Sequence, residues 1–148
     1  MLRILLLHGV NPSDLGTQQH EIYGAATATE LDAMTRKHAT ASGCDLDICY
    51  TEDEAEASAR IKSAVQEGAD GIIMNPAGFS GAGFALRECI KVCGLPYVEI
   101  HIANIAQSGV KCVLSEVAQG VIYGFGAYSC IMGLDAMMDL IARKNSKG

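Results

Sequence analysis

The chain has 148 residues, 49% hydrophobic and only 19% charged, a balance that fits one folded domain over residues 1–148 and excludes a disordered chain. A formal net charge of −6 and a pI near 5.1 argue against a nucleic-acid partner, whose footprint is a basic patch. The one basic cluster, Arg143, Lys144 and Lys147, falls at a helix carboxyl terminus, where cations are favoured. No apolar run approaches the ~18 residues of a membrane span, and Met1 to Leu7 is too short for a signal-peptide core, so no membrane partner and a cytoplasmic location are expected.

Ile4–Leu7 is an unbroken apolar run, the pattern of a strand buried on both faces. A loop of about fifteen residues follows, long for a strand-to-helix connection and therefore a candidate lid, with Gln18, Gln19, His20 and Tyr23 in it. Thr27-Ala-Thr-Glu30 is a capping box for a first helix, in which Leu31, Met34 and Ala41 recur. Leu46, Ile48 and Tyr50 alternate with Asp45, Asp47 and Cys49 as a second strand. Thr51-Glu-Asp-Glu54 reads as another capping box, opening a helix that Gly68 ends. Ile72–Met74 is a third strand, and Asn75 to Phe84 a glycine-rich turn leading into a helix over Phe84–Cys93, stopped by Gly94 and Pro96. Tyr97–Ile102 and Gly120–Gly126 supply the fourth and fifth strands, and Ile131, Leu134, Met138 and Ile141 stripe a last helix. Repeated strand–helix units imply right-handed crossovers. The expected fold is therefore α/β and flavodoxin-like, a five-stranded parallel sheet with helices on both faces.

Ligands of such sheets bind beyond the carboxyl ends of the strands. Asn11, Tyr23, Asn75 and the stretch from Glu99 to Asn104 all gather at that edge. Glu99 and His101 alternate along a strand and share a face. A carboxylate beside an imidazole fixes its tautomer and makes a general acid, or it simply closes the end of a strand. Tyr23, only ~0.1% ionised at neutral pH when unperturbed, needs a cation to serve as a base and otherwise anchors its loop. The turn from Asn75 offers N–H groups to an anion or is a tight turn alone, and it lacks the Lys and Ser/Thr of a P-loop. The six cysteines show no CxxC spacing, so reduced, mostly buried thiols are expected. His8, His20 and His38 lack partners at ligand spacing, and neither a metal nor a cofactor is expected.

Four motifs in register resemble the type II dehydroquinases, the 3-dehydroquinate dehydratases of the shikimate and quinate routes. Gly9-Val-Asn-Pro-Ser-Asp-Leu-Gly16 with Glu21-Ile-Tyr-Gly24 is similar to GPNLNLLG…IYG, and Ile73-Met-Asn-Pro-Ala-Gly-Phe79 with Ala85-Leu-Arg-Glu88 to INPGAY…ALRD. Val98 to Asn104 resembles EVHLSN, and Gly120 to Gly126 resembles GVIxGFG. The resemblance spans essentially the whole chain. It implies trimers assembled into a dodecamer, and loss of water through an enolate from a small carboxylic-acid substrate. On matching positions Tyr23 is the base and His101 the acid, held by Glu99. Asn11 positions the water at the enolate oxygen. Asn75 and the backbone N–H groups of Ile102 and Ala103 hold the carboxylate, and Glu88 reaches a neighbouring subunit's site.

Departures from the family pattern cluster in that pocket. Gln18 replaces the lid arginine, Gly81 a histidine, Ala103 a serine, Val10 a proline and His8 an asparagine, while Ser108 and Cys112 replace two further arginines. Losing a neighbouring cation raises an acid's pKa by about 1–3 units and cuts the ionised fraction of Tyr23 by ~10- to 1000-fold. The expectation is a dehydroquinase-like binder of a small carboxylic or keto acid with weak or lost ordinary activity. An active dehydratase or keto-acid isomerase, and a non-catalytic assembly protein, are the alternatives. His20 and Lys111 are the side chains able to restore the missing charge.

Overall fold

A computed structural model describes residues 1–16 and 26–147, so Gln18, Gln19, His20 and Tyr23 lie outside the described residues. The chain alternates β1 (Leu2–His8), α1 (Ala28–Ala41), β2 (Cys44–Tyr50), α2 (Glu54–Gln66), β3 (Gly71–Asn75), α3 (Phe84–Cys93), β4 (Tyr97–His101), β5 (Gly120–Tyr123) and α4 (Tyr128–Lys147). All strand pairings are parallel, in the order β2-β1-β3-β4-β5, which is the expected flavodoxin-like arrangement. The chain winds outward from β1 to β2, then crosses back to β3. The strand order therefore reverses between β1 and β3, and His8 and Asn75 are register partners at that switch.

Alternation along the strands divides the core into two layers. Ile4, Leu6, Ile73, Val98 and Ile100 pack under α1 and α4 against Leu31, Ala39, Leu134, Met137 and Ile141. Leu5, Leu7, Ile72, Met74 and Tyr97 pack under α2 and α3 against Ala57, Ile61, Leu86 and Ile90. Each fully buried aliphatic side chain contributes roughly 1.5–3 kcal/mol, so both layers are needed to offset the ordering of the chain. Gly133 lets α4 lie close on the sheet, since a Cβ there would stand 2.8 Å from Ile100 Cγ2.

Several expectations change at the helix surfaces. The buried stripe of α1 is Leu31, Thr35 and Ala39, with Met34 and Ala41 exposed; the Thr35 hydroxyl is satisfied by donating to the Leu31 carbonyl at 2.6 Å. In α4 the buried seam runs through Met137, with Met138 only half-buried. The fourth strand ends at His101 and the fifth at Tyr123, both short of the expected bounds; the fifth stops where the chain turns away through Gly124 (φ +100°) and Gly126 (φ +60°).

The second capping box is also corrected. Asp53, not Thr51, caps α2: its Oδ1 accepts from the N–H groups of Ala55 at 2.8 Å and Glu56 at 3.2 Å, while Thr51 Oγ1 accepts from Asp53 N–H. Glu54 is thereby released to accept from Leu86 N–H at 3.1 Å. It caps α3 from outside, where the local cap position, Gly83, has no side chain to offer. Loss of a helix cap costs about 0.5–2 kcal/mol. Glu54→Ala is expected to lower unfolding stability by about 1 kcal/mol in urea titration, with Glu54→Gln recovering most of the loss.

Candidate active site

The carboxyl edge of the sheet is built around Glu99. Tyr97, Glu99 and His101 alternate along β4 and point to one face, and Glu99 is fully buried. Its Oε1 accepts from the Tyr97 hydroxyl at 2.9 Å and the Cys112 thiol at 3.4 Å. Its Oε2 accepts from the Ser115 hydroxyl at 2.6 Å and meets His101 Nε2 at 2.8 Å. Burial pushes the Glu99 carboxyl upward, but the hydrogen bonds from His101, Ser115 and Tyr97 together with the His101 charge outweigh it, and the net direction is downward. Glu99 thus stays a carboxylate. By holding Nε2, it leaves His101 Nδ1 without a hydrogen bond among the described residues, ready for a reacting molecule.

Burial, and then the Glu99 charge, raise the Cys112 thiol to about 11, so it is a neutral donor at pH 7. Tyr97 is raised well above the usual phenol range, first by burial and then by Glu99. Tyr97 and Ser115 are site residues that sequence reasoning missed. The alternation of Tyr97 with Glu99 and His101 was a usable signal for the first. Nothing marked Ser115, because the loop after β4 brings it back from sixteen positions away.

A second polar pair occupies the other face of the same edge. Asn75 Nδ2 donates to His8 Nδ1 at 3.2 Å, which leaves the proton on His8 Nε2, a buried atom with no hydrogen-bond partner among the described residues. The His8 ring stacks on Tyr50, centroids 4.6 Å apart. Tyr50 is held by its hydroxyl donating to Asp32 at 2.8 Å. Complete burial lowers His8 to about 4, so it is neutral at physiological pH. Asn75, expected to face a substrate carboxylate, is itself buried with its amide nitrogen engaged by His8.

The loops after β1 and β3 lock together at Gly9. Its N–H donates to the Asn75 carbonyl at 2.8 Å, and its carbonyl accepts from Gly78 N–H at 3.2 Å. A Cβ at Gly9 would fall 2.2 Å from the Pro76 carbonyl oxygen, so only glycine permits this approach.

The remaining expected residues are placed unevenly. Asn11 is exposed and caps the short turn Pro12–Asp14, its Oδ1 accepting from Ser13 N–H and Ser13 Oγ. Ile102 and Ala103 form the bend directly after β4, where Gly126 N–H donates to the Ile102 carbonyl. Gly81 is exposed, with nothing within 4 Å of a Cβ built on it. Glu88 is exposed on α3 beside Arg87 and makes no hydrogen bond or ion pair with Glu99 or His101. Cys112 lies between Glu99 and a cavity of about 290 Å³, also lined by Ser115, Lys111, Val121 and Tyr123. Lys111, one of the two side chains able to restore charge, therefore borders this pocket. Among the described residues every cysteine is free; Cys44 and Cys130 are buried and the others half-buried.

Expectation and structure differ over metal ligands. Side-chain spacing marks no such site, yet Glu99, His101 and Cys112 each place a ligand atom within 4.8 Å of the others.

Fold and site together define a flavodoxin-like α/β protein with a buried, hydrogen-bonded carboxylate–imidazole pair at the carboxyl edge of its sheet. The family model for Dehydroquinase class II matches residues 2–138. A 3-dehydroquinate dehydratase of Desulforudis audaxviator is 36% identical over 145 residues, covering 96% of each chain, and one of Xanthomonas oryzae is 40% identical over 141 residues, covering 93% of this chain and 95% of that one. Among solved structures, the type II dehydroquinase of Butyrivibrio crossotus superposes with a TM-score of 0.87 at 26% identity, covering 92% of this chain and 97% of that one. That of Propionibacterium acnes gives 0.85 at 27% identity, with 96% and 97% covered. The chain belongs to the class II dehydroquinase family and is a type II 3-dehydroquinate dehydratase-like protein.

The titration of His8 has a definite sign. Its folded value near 4 lies below the ordinary 6.5, so the unfolded chain takes up the proton first as pH falls. The stabilisation is complete above about 6.5, declines between 6.5 and 4 by on the order of 3 kcal/mol, and changes no further below that. Urea unfolding at pH 7 and pH 4.5 is expected to show a steeper loss for the unaltered protein than for His8→Gln, which keeps an acceptor for Asn75 but cannot titrate.

Proposed function

We propose that the chain is a working 3-dehydroquinate dehydratase, a lyase that removes water from a cyclic keto acid through an enolate. The single observation that carries this reading is the intact Glu99–His101 pair: a buried carboxylate fixing Nε2 and presenting Nδ1 at the carboxyl edge of the sheet. The 36–40% identity to proteins named 3-dehydroquinate dehydratase, over nearly their full lengths, supports turnover. The opposite reading, weak or lost activity, rests on the replaced arginines and the other departures in the pocket, Gly81 and Ala103 among them.

The assignment of steps follows from charge. A base removes a proton alpha to the ketone, and the electron pair moves onto the carbonyl oxygen as an enolate. The enolate then re-forms the ketone as the beta hydroxyl departs, taking a proton from His101 and leaving as water. Tyr23, which lies between β1 and α1 in the sequence, is the base in this scheme, and Asn11 holds the water at the enolate oxygen. Asn75 and the N–H groups of Ile102 and Ala103 receive the carboxylate. Lys111, bordering the cavity beside Cys112 and Ser115, supplies positive charge where the family pattern has arginine. Glu88, exposed on α3, completes the site of an adjoining subunit in this reading, in a trimeric, and from there dodecameric, assembly within the cytoplasm.

A positioned general acid contributes typically 10²–10⁴-fold to rate. With 3-dehydroquinate as substrate and the ultraviolet absorbance of the conjugated enone product as readout, His101→Ala is expected to lower kcat by about that factor. Glu99→Gln, which keeps the shape and loses the charge, is expected to shift the alkaline limb of the pH–rate profile, the limb set by the general acid. Absence of turnover by the unaltered protein, or turnover indifferent to His101→Ala, would refute the assignment.

A further inference from the structure

We propose that Glu99, His101 and Cys112 form a binding site for a divalent transition-metal ion of the zinc type, facing the cavity beside Cys112. A carboxylate oxygen, an imidazole nitrogen and a thiol sulfur lie within 4.8 Å of one another, from β4 and the loop that folds back beneath it. Tetrahedral zinc, with bonds of about 2.0–2.3 Å, holds neighbouring ligand atoms roughly 3.3–3.8 Å apart. Both partners already touch the Glu99 carboxylate, each at its own oxygen: Cys112 Sγ to Oε1 at 3.4 Å and His101 Nε2 to Oε2 at 2.8 Å. The site needs a contraction of about 1 Å at most on its longest side, and the half-buried loop carrying Cys112 can supply it.

The donor set selects the ion. One soft sulfur, one imidazole and one carboxylate suit zinc or cobalt and disfavour magnesium or calcium, which take oxygen ligands. Outer-sphere support is already present, because the Tyr97 and Ser115 hydroxyls donate to the carboxylate and fix its orientation. Three protein ligands leave a fourth position open, and the cavity beyond Cys112 can fill it with water. The charges also match. The buried carboxylate is now balanced by neutral donors and His101, and a dication takes over that role while making a bond to sulfur. On binding, the S–H bond of Cys112 breaks, its proton leaves to solvent and an S–metal bond forms. His101 gives up the Nε2 proton that now faces Glu99, to Nδ1 or to solvent, and binds through the freed lone pair, and no group changes oxidation state. A bound ion breaks the Glu99–His101 hydrogen bond on which the proposed proton transfer at Nδ1 relies, so this site opposes turnover, and its existence is independent of whether turnover occurs.

Titration of the purified protein with cobalt(II), without substrate, tests the site directly. The expected result is one equivalent bound, a near-ultraviolet thiolate–cobalt band, and displacement by zinc(II). Cys112→Ser is expected to abolish the band and weaken binding at least 10-fold, while Cys89→Ser on α3 keeps both. Tyr97→Phe is expected to weaken binding about 10- to 100-fold. Anomalous scattering from zinc-soaked crystals of the unaltered protein locates the ion even if Cys112→Ser fails to fold. Density between Cys112, His101 and Glu99 supports the proposal. No band, a band that survives Cys112→Ser, or zinc found only elsewhere overturns it. Neither measurement uses dehydroquinate, so the outcome separates from that of the dehydratase reading.

Discussion

Placing a carboxylate in the interior of this sheet edge constrains everything around it. An ionised carboxylate removed from water carries a penalty of several kcal/mol unless hydrogen bonds replace its hydration. Glu99 is fully buried and offered four contacts, from Tyr97, Cys112, Ser115 and His101. Each is drawn inward for that purpose. Two come from β4 itself and two from the loop that returns past it, so the carboxylate ties that loop to the sheet. The same bonding determines which imidazole nitrogen remains available, and orientation of a proton carrier emerges as a consequence of satisfying a buried charge.

On the opposite face of the edge a different solution appears. His8 occupies the last position of β1 at the strand-order switch, stays neutral because it is buried, and is gripped by Asn75 and Tyr50. One ring nitrogen is satisfied by an amide and the other is orphaned within the described residues. A buried donor without a partner costs about 1–3 kcal/mol, an expense more at home beside a ligand site than in a structural core. The two pairs differ in kind. Glu99–His101 concentrates charge, whereas His8–Asn75 avoids it.

The replaced arginines and the Cys112 thiol belong to the same story. Where the family pattern carries a guanidinium, this chain has a thiol that donates to Glu99, with Lys111 one residue away on the cavity wall. Among the described residues, the cation lining this cavity is the Lys111 ammonium. Lys and Arg are not equivalent there: the ammonium is a compact, strongly hydrated point charge, without the planar fork that grips a carboxylate.

Strand number and parallel topology were legible in the sequence, because apolar runs, capping residues and glycines act through local geometry. The Glu99-x-His101 pair was legible for the same reason, two-residue alternation along a strand. What adjacency in sequence does not encode was left to the tertiary structure: the transfer of Glu54 to the start of another helix, the meeting of His8 with Asn75 across two strands, and the return of Cys112 and Ser115 to Glu99. These contacts join residues far apart in the chain. They form only once sheet register and loop closure have put a buried polar atom within reach of the one partner that can satisfy it.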